Sequence, residues 1–177
     1  MAIVVAYPIG VLLVAVVFNF FVFSVNPYVL TLPTIGCIHA LVIAAVLLTI
    51  NHTWIMTTTE LTRVRFKMYS TPEEWAASRT NRDDVPEVGV RELERHHNTH
   101  RNTTENTIYY VLLALAFVFA SPTLIAAQVW LISFAVARLG YTYSYLAGKD
   151  GARGLFMSLS LLAMYGMASY LLMSLVI

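Results

Sequence analysis

Charge is scarce in this sequence. Asp, Glu, Lys and Arg together make up only 12% of its 177 residues, whereas soluble domains carry about 25%. A soluble globular fold is therefore not expected. The net charge of +1 offers no basic surface for a phosphate backbone, which excludes a nucleic acid as partner.

Cysteine is almost absent as well. Cys37 is the only one, so the chain has neither a disulfide framework nor a cysteine-based metal site. Three histidines, His96, His97 and His100, stand close together, and histidines four residues apart can share a zinc ion. No further ligand stands at a convincing spacing, so no metal site is predicted.

The few charges are concentrated in one block. The first charged residue is Glu60, and most of the eleven Lys and Arg residues lie between Arg63 and Arg101. The rest of the chain is nearly free of charge and divides into apolar stretches separated by proline or polar residues: 2–25, 30–59, 108–120, 124–147 and 154–177. A helix needs about 20 apolar residues to cross a bilayer, so most of these stretches are long enough to span a membrane.

The stretches are predicted to be helices, because none alternates with the period of two that a half-buried strand shows and all are too long for barrel strands. The third is expected to continue upstream to about Val90, and the second to continue to about Lys67. The prediction is all-α: a transmembrane four-helix bundle, residues 30–177, with an extra N-terminal hydrophobic segment, residues 1–29. That segment is predicted to be another transmembrane helix; the alternative is a removable or weakly packed leader, although the basic start of a signal peptide is missing.

The basic block also predicts the orientation of the chain. Lys and Arg residues accumulate on the cytosolic side of membrane proteins, so residues 63–107 and the connection 148–153 are placed in the cytosol. The connections 26–33 and 121–123 carry no charge and are placed on the opposite side. An integral protein of the endomembrane system is expected.

Polar side chains share one face of the helix that contains the basic block. Asn98, Asn102 and Glu105 follow one another at i, i+4 and i+7, and Arg101 stands one turn before Glu105. A solvated helix end would explain Arg101. It explains Glu105 less well, because the apolar stretch follows almost immediately.

A second polar group lies inside an apolar stretch. Arg138, Tyr141 and Tyr145 recur at i, i+3 and i+7, so they form one stripe on a helix. An arginine inside a membrane helix faces the bundle interior and has a partner, which makes it a candidate for a functional site. Glu105 is the expected partner, because both residues lie near the same membrane face. The alternative for Arg138 is a purely structural ion pair with Glu105. The alternative for the tyrosines is an aromatic belt at the membrane interface.

Arg153 forms a third candidate site at the start of the last helix, where the backbone dipole favours negative charge. The alternative is an ordinary loop cation that reaches towards lipid. Together the three groups place arginines, tyrosines, an asparagine and a glutamate around one opening at the cytosolic face of the membrane. Such a set suits a small ligand with several carboxylates, such as glutathione, and an apolar co-substrate that arrives from the lipid.

The chain from about Ile35 to Ile177 resembles the MAPEG family, the membrane-associated proteins of eicosanoid and glutathione metabolism. The similar motifs stand in the family's order: Arg63-Val-Arg65-Phe-Lys67 with Thr71-Pro72-Glu73-Glu74, Glu94-Arg95 with His100-x-Asn102-x-x-Glu105-Asn106, Arg138-Leu-Gly-Tyr141-x-x-x-Tyr145, and Arg153. Within the family the chain is most similar to microsomal glutathione transferase and microsomal prostaglandin E synthase. Three positions depart from those two: Asn98 replaces a common arginine, Gly154 replaces the serine of the prostaglandin synthase, and Tyr141 resembles leukotriene C synthase.

The resemblance implies a glutathione transferase, with peroxidase activity, that acts on apolar lipids or xenobiotics in detoxification or eicosanoid metabolism. It implies a homotrimer in the endoplasmic reticulum, with the mitochondrial outer membrane as a second location, and glutathione bound between subunits towards the cytosol. The implied glutathione contacts are Arg63, Arg101, Asn102, Glu105, Arg138, Tyr141, Tyr145 and Arg153, of which Tyr145 and Arg153 would be catalytic. Two alternatives stay open: a glutathione-dependent prostaglandin E synthase and a non-catalytic lipid-binding scaffold of the same family.

Overall fold

The computed structural model describes residues 2–177, with side chains from residue 6 onwards, and every regular element in that part of the chain is helical. The α-helices are α1 (Ala2–Phe18), α2 (Ile35–Phe66), α3 (Pro72–Ser78), α4 (Glu87–Phe119), α5 (Leu124–Leu146) and α6 (Asp150–Ser174). A π-helical segment, Asn19–Phe23, continues α1, and a 3-10 turn, Arg82–Asp84, precedes α4. The all-α prediction is confirmed.

Within the described residues, four segments are long and apolar enough to cross a membrane: Ala6–Phe23, Ile35–Phe66, Leu124–Leu146 and Asp150–Ser174. Helix α4 differs from them, because its first half carries the charged block and only its second half is apolar. As predicted, α2 continues to Phe66 and α4 begins upstream of Val90. The predicted bundle with an additional N-terminal helix is confirmed.

Side-chain caps and left-handed residues determine where α2 and α3 begin and end. The Thr34 hydroxyl accepts a hydrogen bond from the Cys37 amide at the start of α2, and Lys67 ends this helix in the left-handed conformation (φ 52°). Thr71 and Glu74 then form a capping box at the start of α3. This sharp stop leaves Arg63 in the last turn of α2, beside the polar half of α4.

The two ends of the bundle differ in their connections. At one end, the Tyr28 amide donates to the Ser174 carbonyl (2.8 Å) and the Thr31 amide to the Phe119 carbonyl (3.3 Å). At the other end, Arg95 Nη1 donates to the Leu146 carbonyl (3.4 Å) and so joins the start of α4 to the end of α5. The block 63–107 and the α5–α6 connection therefore share one end, which we call the basic end. Its placement in the cytosol stays a prediction.

Small residues allow the helices to approach one another closely, as is common in membrane bundles. The fully or nearly fully buried alanines of the core include Ala40, Ala44, Ala114, Ala126, Ala127, Ala135 and Ala163. Aromatic contacts complete the packing: Tyr110 stacks on Phe134 with ring centroids 4.1 Å apart, and its hydroxyl donates to the Leu131 carbonyl at 3.2 Å. Helices α4 and α5 are thereby held in a defined rotation about their axes.

The N-terminal helix packs against α6 and α5 through a buried asparagine. Asn19 is 0% exposed, and its amide nitrogen donates to the Gly166 carbonyl (2.8 Å) and to the Ser169 hydroxyl (2.9 Å). Its amide oxygen accepts from Trp130 Nε1 at 2.9 Å. A buried amide with its polar atoms satisfied ties one helix to two others, so the N-terminal segment is joined to the bundle by specific contacts.

Candidate active site

The centre of the candidate site is the guanidinium of Arg138, which is 0% exposed. Its Nη2 donates to Asn102 Oδ1 and to Thr103 Oγ1, both at 2.9 Å. Its Nη1 lies 3.8 Å from the sulfur of Met157. The buried charge is therefore held by neutral oxygens of α4, and it ties α4 to α5 near the basic end.

The predicted ion pair between Glu105 and Arg138 is wrong for the single chain. Among the described residues, no salt bridge joins the two side chains, and Glu105 is exposed. The reason is helical geometry: Arg138 contacts both Asn102 and Thr103, and Glu105 points about 110° away from the direction midway between these two residues. Although Glu105 lies near Asn102 on the helix surface, its carboxylate is therefore turned away from Arg138.

The tyrosine stripe continues from Arg138 towards the basic end. The Arg138 guanidinium lies 4.2 Å from the ring centroid of Tyr141, and the rings of Tyr141 and Tyr145 are 5.6 Å apart. Arg153 of α6 lies 5.0 Å from the Tyr145 ring. We call these four residues the arginine–tyrosine ladder. Each contact is within the range of a cation–π or aromatic pair, so α5 and α6 present one continuous group with a cation at each end.

Arg153 is the cation of the ladder that solvent reaches. Its side chain is 40% exposed and its Nη2 lies 3.3 Å from the carboxylate of Asp150, one turn earlier on α6. Such an exposed pair is weak, so Asp150 leaves Arg153 able to bind another anion. The predicted position of Arg153 at the N-terminus of a helix is confirmed.

Arg63 belongs to a separate group between α2 and α4. Its Nη1 lies 2.5 Å from Glu60 Oε1, and its Nη2 lies 3.3 Å from His97 Nε2. A small cavity of about 170 Å³ adjoins this group, with His100 also in its wall. Partial burial lowers the pKa of His97 from 6.5, and the Arg63 guanidinium lowers it further. Arg63 therefore contacts none of the members of the ladder within the chain.

Arg101 and Glu105 also remain apart from the ladder. Arg101 Nη2 donates to Asn98 Oδ1 at 2.9 Å rather than to Glu105, although both are one turn away. Arg101 and Glu105 are exposed on α4. Of the predicted glutathione contacts, the chain by itself gathers five into one cluster: Asn102, Arg138, Tyr141, Tyr145 and Arg153.

A larger cavity of about 670 Å³ lies between α2 and α4. Its apolar wall includes Leu48, Val111 and Leu112, while His52 and Thr103 contribute polar groups. Since Thr103 also accepts from Arg138, this cavity adjoins the inner end of the ladder. It offers an apolar volume beside a polar cluster, which is the arrangement that a co-substrate from the lipid phase requires.

Three polar side chains, two at these clusters and one at the N-terminal helix, were missed in the sequence. Thr103 holds Arg138, but threonine is common at helix positions and gives no signal. His97 was considered only as a metal ligand, and its contact with Arg63 depends on how α2 and α4 are rotated. Asn19 could have been found, because a lone amide inside an apolar membrane stretch marks a buried polar contact by default. No group of three or more potential metal ligands is gathered in the described part of the chain.

The chain was compared with known proteins. No curated protein matches it. The model of the MAPEG family, by contrast, matches residues 38–173, which covers all of α4 and α5 and nearly all of α2 and α6, and leaves out the N-terminal helix. Members of this family are membrane proteins of glutathione and eicosanoid metabolism, and they include glutathione transferases and related enzymes. The chain belongs to the MAPEG family.

Proposed function

We propose that this protein is a membrane-bound glutathione transferase that conjugates glutathione to apolar electrophiles and reduces lipid hydroperoxides. The observation that carries the proposal is the ladder from Arg138 through Tyr141 and Tyr145 to Arg153. It combines a buried cation with an accessible cation at the basic end, and hydroxyl groups lie between them. Family members generally use glutathione, whose carboxylates and thiolate are the anions that such a site attracts.

In this mechanism Arg153 stabilises the thiolate of glutathione, because a nearby cation favours the charged form of a thiol. The Tyr145 hydroxyl is a hydrogen-bond donor for the same sulfur. The thiolate then forms the carbon–sulfur bond with the electrophile, whose leaving group departs with its electron pair. With a hydroperoxide, two glutathione molecules become a disulfide while the substrate is reduced to an alcohol and water.

We further propose that the enzyme is a homotrimer of the endoplasmic reticulum whose site opens to the cytosol. The position of Arg63, Arg101 and Glu105 supports a shared site, since these implied contacts lie apart from the ladder and Arg101 and Glu105 are exposed. A neighbouring copy could then supply the groups that the ladder lacks. The concentration of basic residues at one end supports the orientation.

A turnover assay of the purified protein tests the proposed activity. Glutathione is offered with a panel of aryl halides, lipid hydroperoxides and prostaglandin endoperoxides, in nanodiscs that keep the bundle in lipid. Turnover of halides or hydroperoxides is expected. Turnover of endoperoxides alone would indicate a prostaglandin synthase, and glutathione binding without any turnover would indicate a scaffold; either result contradicts the proposal.

A further inference from the structure

Arg63 is held by two side chains that leave part of its guanidinium free. Glu60 of α2 contacts Nη1 at 2.5 Å, and His97 of α4 contacts Nη2 at 3.3 Å. A guanidinium has five N–H donors in a planar fork, so the two contacts leave donors for a ligand. The adjoining cavity of about 170 Å³ is lined by Met56, Thr59, Glu60, Arg63, His97 and His100.

The contact between Arg63 and His97 depends on the protonation of the imidazole. A guanidinium can only donate, so His97 Nε2 accepts, and only a neutral imidazole has an accepting nitrogen. The surroundings favour that neutral form: partial burial lowers the pKa of His97, Arg63 and the neighbouring His96 and His100 lower it as well, and Glu60 alone acts in the opposite direction. These are the charged and titratable groups that face His97 from α2 and α4.

We propose that His97 is a positioning residue for a carboxylate site at Arg63, and that carboxylate binding there draws a proton onto His97. The proposal rests on the proposed use of glutathione, because it assigns one of that ligand's carboxylates to this cavity. In the free protein, neutral His97 holds the guanidinium at the cavity wall. A bound carboxylate adds a negative charge beside the imidazole, which favours the imidazolium, and two cations then face one anion.

The pH dependence of carboxylate binding has a direction that can be measured. Because the carboxylate favours protonated His97, binding takes up a proton, and affinity rises as the pH falls through the range in which His97 titrates. Burial and the Arg63 guanidinium lower the pKa of His97 in the free protein, so the proton that the carboxylate favours is taken up on binding. We expect the dissociation constant to fall about two- to tenfold between pH about 7.5 and about 5.5, since one linked proton changes affinity by at most tenfold per pH unit.

The experiment uses S-methylglutathione, which has both carboxylates but no thiol proton, so that ionisation of sulfur cannot enter the measurement. Titration calorimetry of the full-length protein in buffers with different ionisation enthalpies counts the protons taken up. His97→Gln keeps an accepting oxygen for Arg63 but cannot titrate; its affinity should match that of the wild type at the alkaline end of the range, where His97 stays neutral, and be independent of pH. His97→Leu removes the contact, and binding should weaken about two- to tenfold at all pH values.

His96→Gln is the matched control. In the wild type the imidazole of His96 is next to His97 in sequence, but its Nδ1 contacts the Glu92 carbonyl at 2.9 Å and it does not line the cavity. Proton uptake should persist in this variant. If the wild type binds S-methylglutathione without proton uptake, or if His97→Gln takes up the proton equally, the assignment to His97 is wrong while the proposed function stands. If the wild type does not bind the compound at any pH, the proposed function itself is overturned.

Discussion

Arg153 is the accessible cation of the ladder and the residue best placed to act on a thiol. A free thiol has a pKa of about 8.5, so little of it is ionised at neutral pH. A cation within about 4–6 Å lowers that pKa by about 1–3 units, and an arginine stays charged at any working pH. The N-terminal dipole of α6 acts in the same direction.

The first prediction follows for Arg153→Leu. Glutathione should still bind, but the ultraviolet absorbance of the thiolate should disappear and turnover should fall about 10- to 1000-fold, as a loss of 1–3 pKa units of stabilisation implies. Asp150→Asn is the control, because it removes only the weak partner of Arg153 and should keep both signals. A thiolate spectrum and turnover like those of the wild type in Arg153→Leu would refute this role.

The second prediction concerns the neutral partners of Arg138. Asn102→Leu leaves a donor of a buried guanidinium unsatisfied, which destabilises a fold by about 1–3 kcal/mol, so the melting temperature in detergent should fall. The double variant with Arg138→Met should be more stable than the sum of the two single losses predicts, because the two side chains form one contact. Glu105→Gln should leave the melting temperature unchanged. A large fall in the melting temperature of Glu105→Gln, together with additive stability losses in the Asn102→Leu and Arg138→Met double variant, would support the ion pair expected from the sequence instead.

Helix α1 and its π-helical continuation are attached to the bundle by apolar packing and by hydrogen bonds, and the buried hydrogen bonds come from Asn19. Asn19 makes three hydrogen bonds to α5 and α6, and interhelical hydrogen bonds in membranes contribute about 0.6 kcal/mol on average and up to about 1.7. The π-helical turn that begins at Asn19 is the kind of local insertion that occurs where a helix makes a specific contact. The contribution of Asn19 to this attachment can therefore be removed without changing the apolar surface of α1.

The third prediction is that Asn19→Leu, a change of similar volume, loosens α1 from the bundle. The melting temperature should fall, and the fluorescence of Trp130 should change, because its indole nitrogen loses its acceptor. Trp54→Phe and Trp75→Phe isolate that signal in a background protein. Phe21→Leu, at a position 76% exposed, is the control and should alter neither measurement. An unchanged Trp130 spectrum in Asn19→Leu would show that the hydrogen bonds of Asn19 do not hold α1.

In the described part of the chain, the Lys and Arg residues lie together with the Asp and Glu residues towards one end of the molecule, and the connections at the other end carry no charged side chain. The hydrogen bonds of Arg95 at one end and of Tyr28 at the other show that the predicted grouping of connections is correct. Since basic connections remain in the cytosol, the ladder and the Arg63 cavity are expected to open on that side. The orientation of the chain therefore decides which glutathione pool the site can reach.

The fourth prediction tests this orientation with single cysteines in sealed microsomes. Thr80→Cys and Lys149→Cys should react with an impermeant reagent from the cytosolic side, whereas Tyr28→Cys should react only after the membrane is opened. Cys37 is buried and should give no background. Labelling of Tyr28→Cys alone in sealed vesicles would invert the topology and place the site in the lumen.

Several features could be predicted from the sequence, because each depends on local order along the chain. Apolar stretches and their breaks predicted α2, α5 and α6, and the stripe of Arg138, Tyr141 and Tyr145 predicted the side of α5 on which the ladder lies. The motifs placed the chain in its family, and a family model has confirmed this. Helical periodicity and the transfer of apolar groups out of water are properties of short segments, so the sequence determines them directly.

The tertiary structure decided which side chains meet. Glu105 was the expected partner of Arg138, but the packing of α4 against α5 turned Asn102 and Thr103 inward while Glu105 stayed outside. The same packing brought His97 to Arg63 across α2 and α4. The spacing of residues along a helix does not determine which face the helix presents to its neighbours. The rotation that is adopted comes from the close fit of alanines, Tyr110 and Phe134 between helices, and that fit exists only when all of them are assembled.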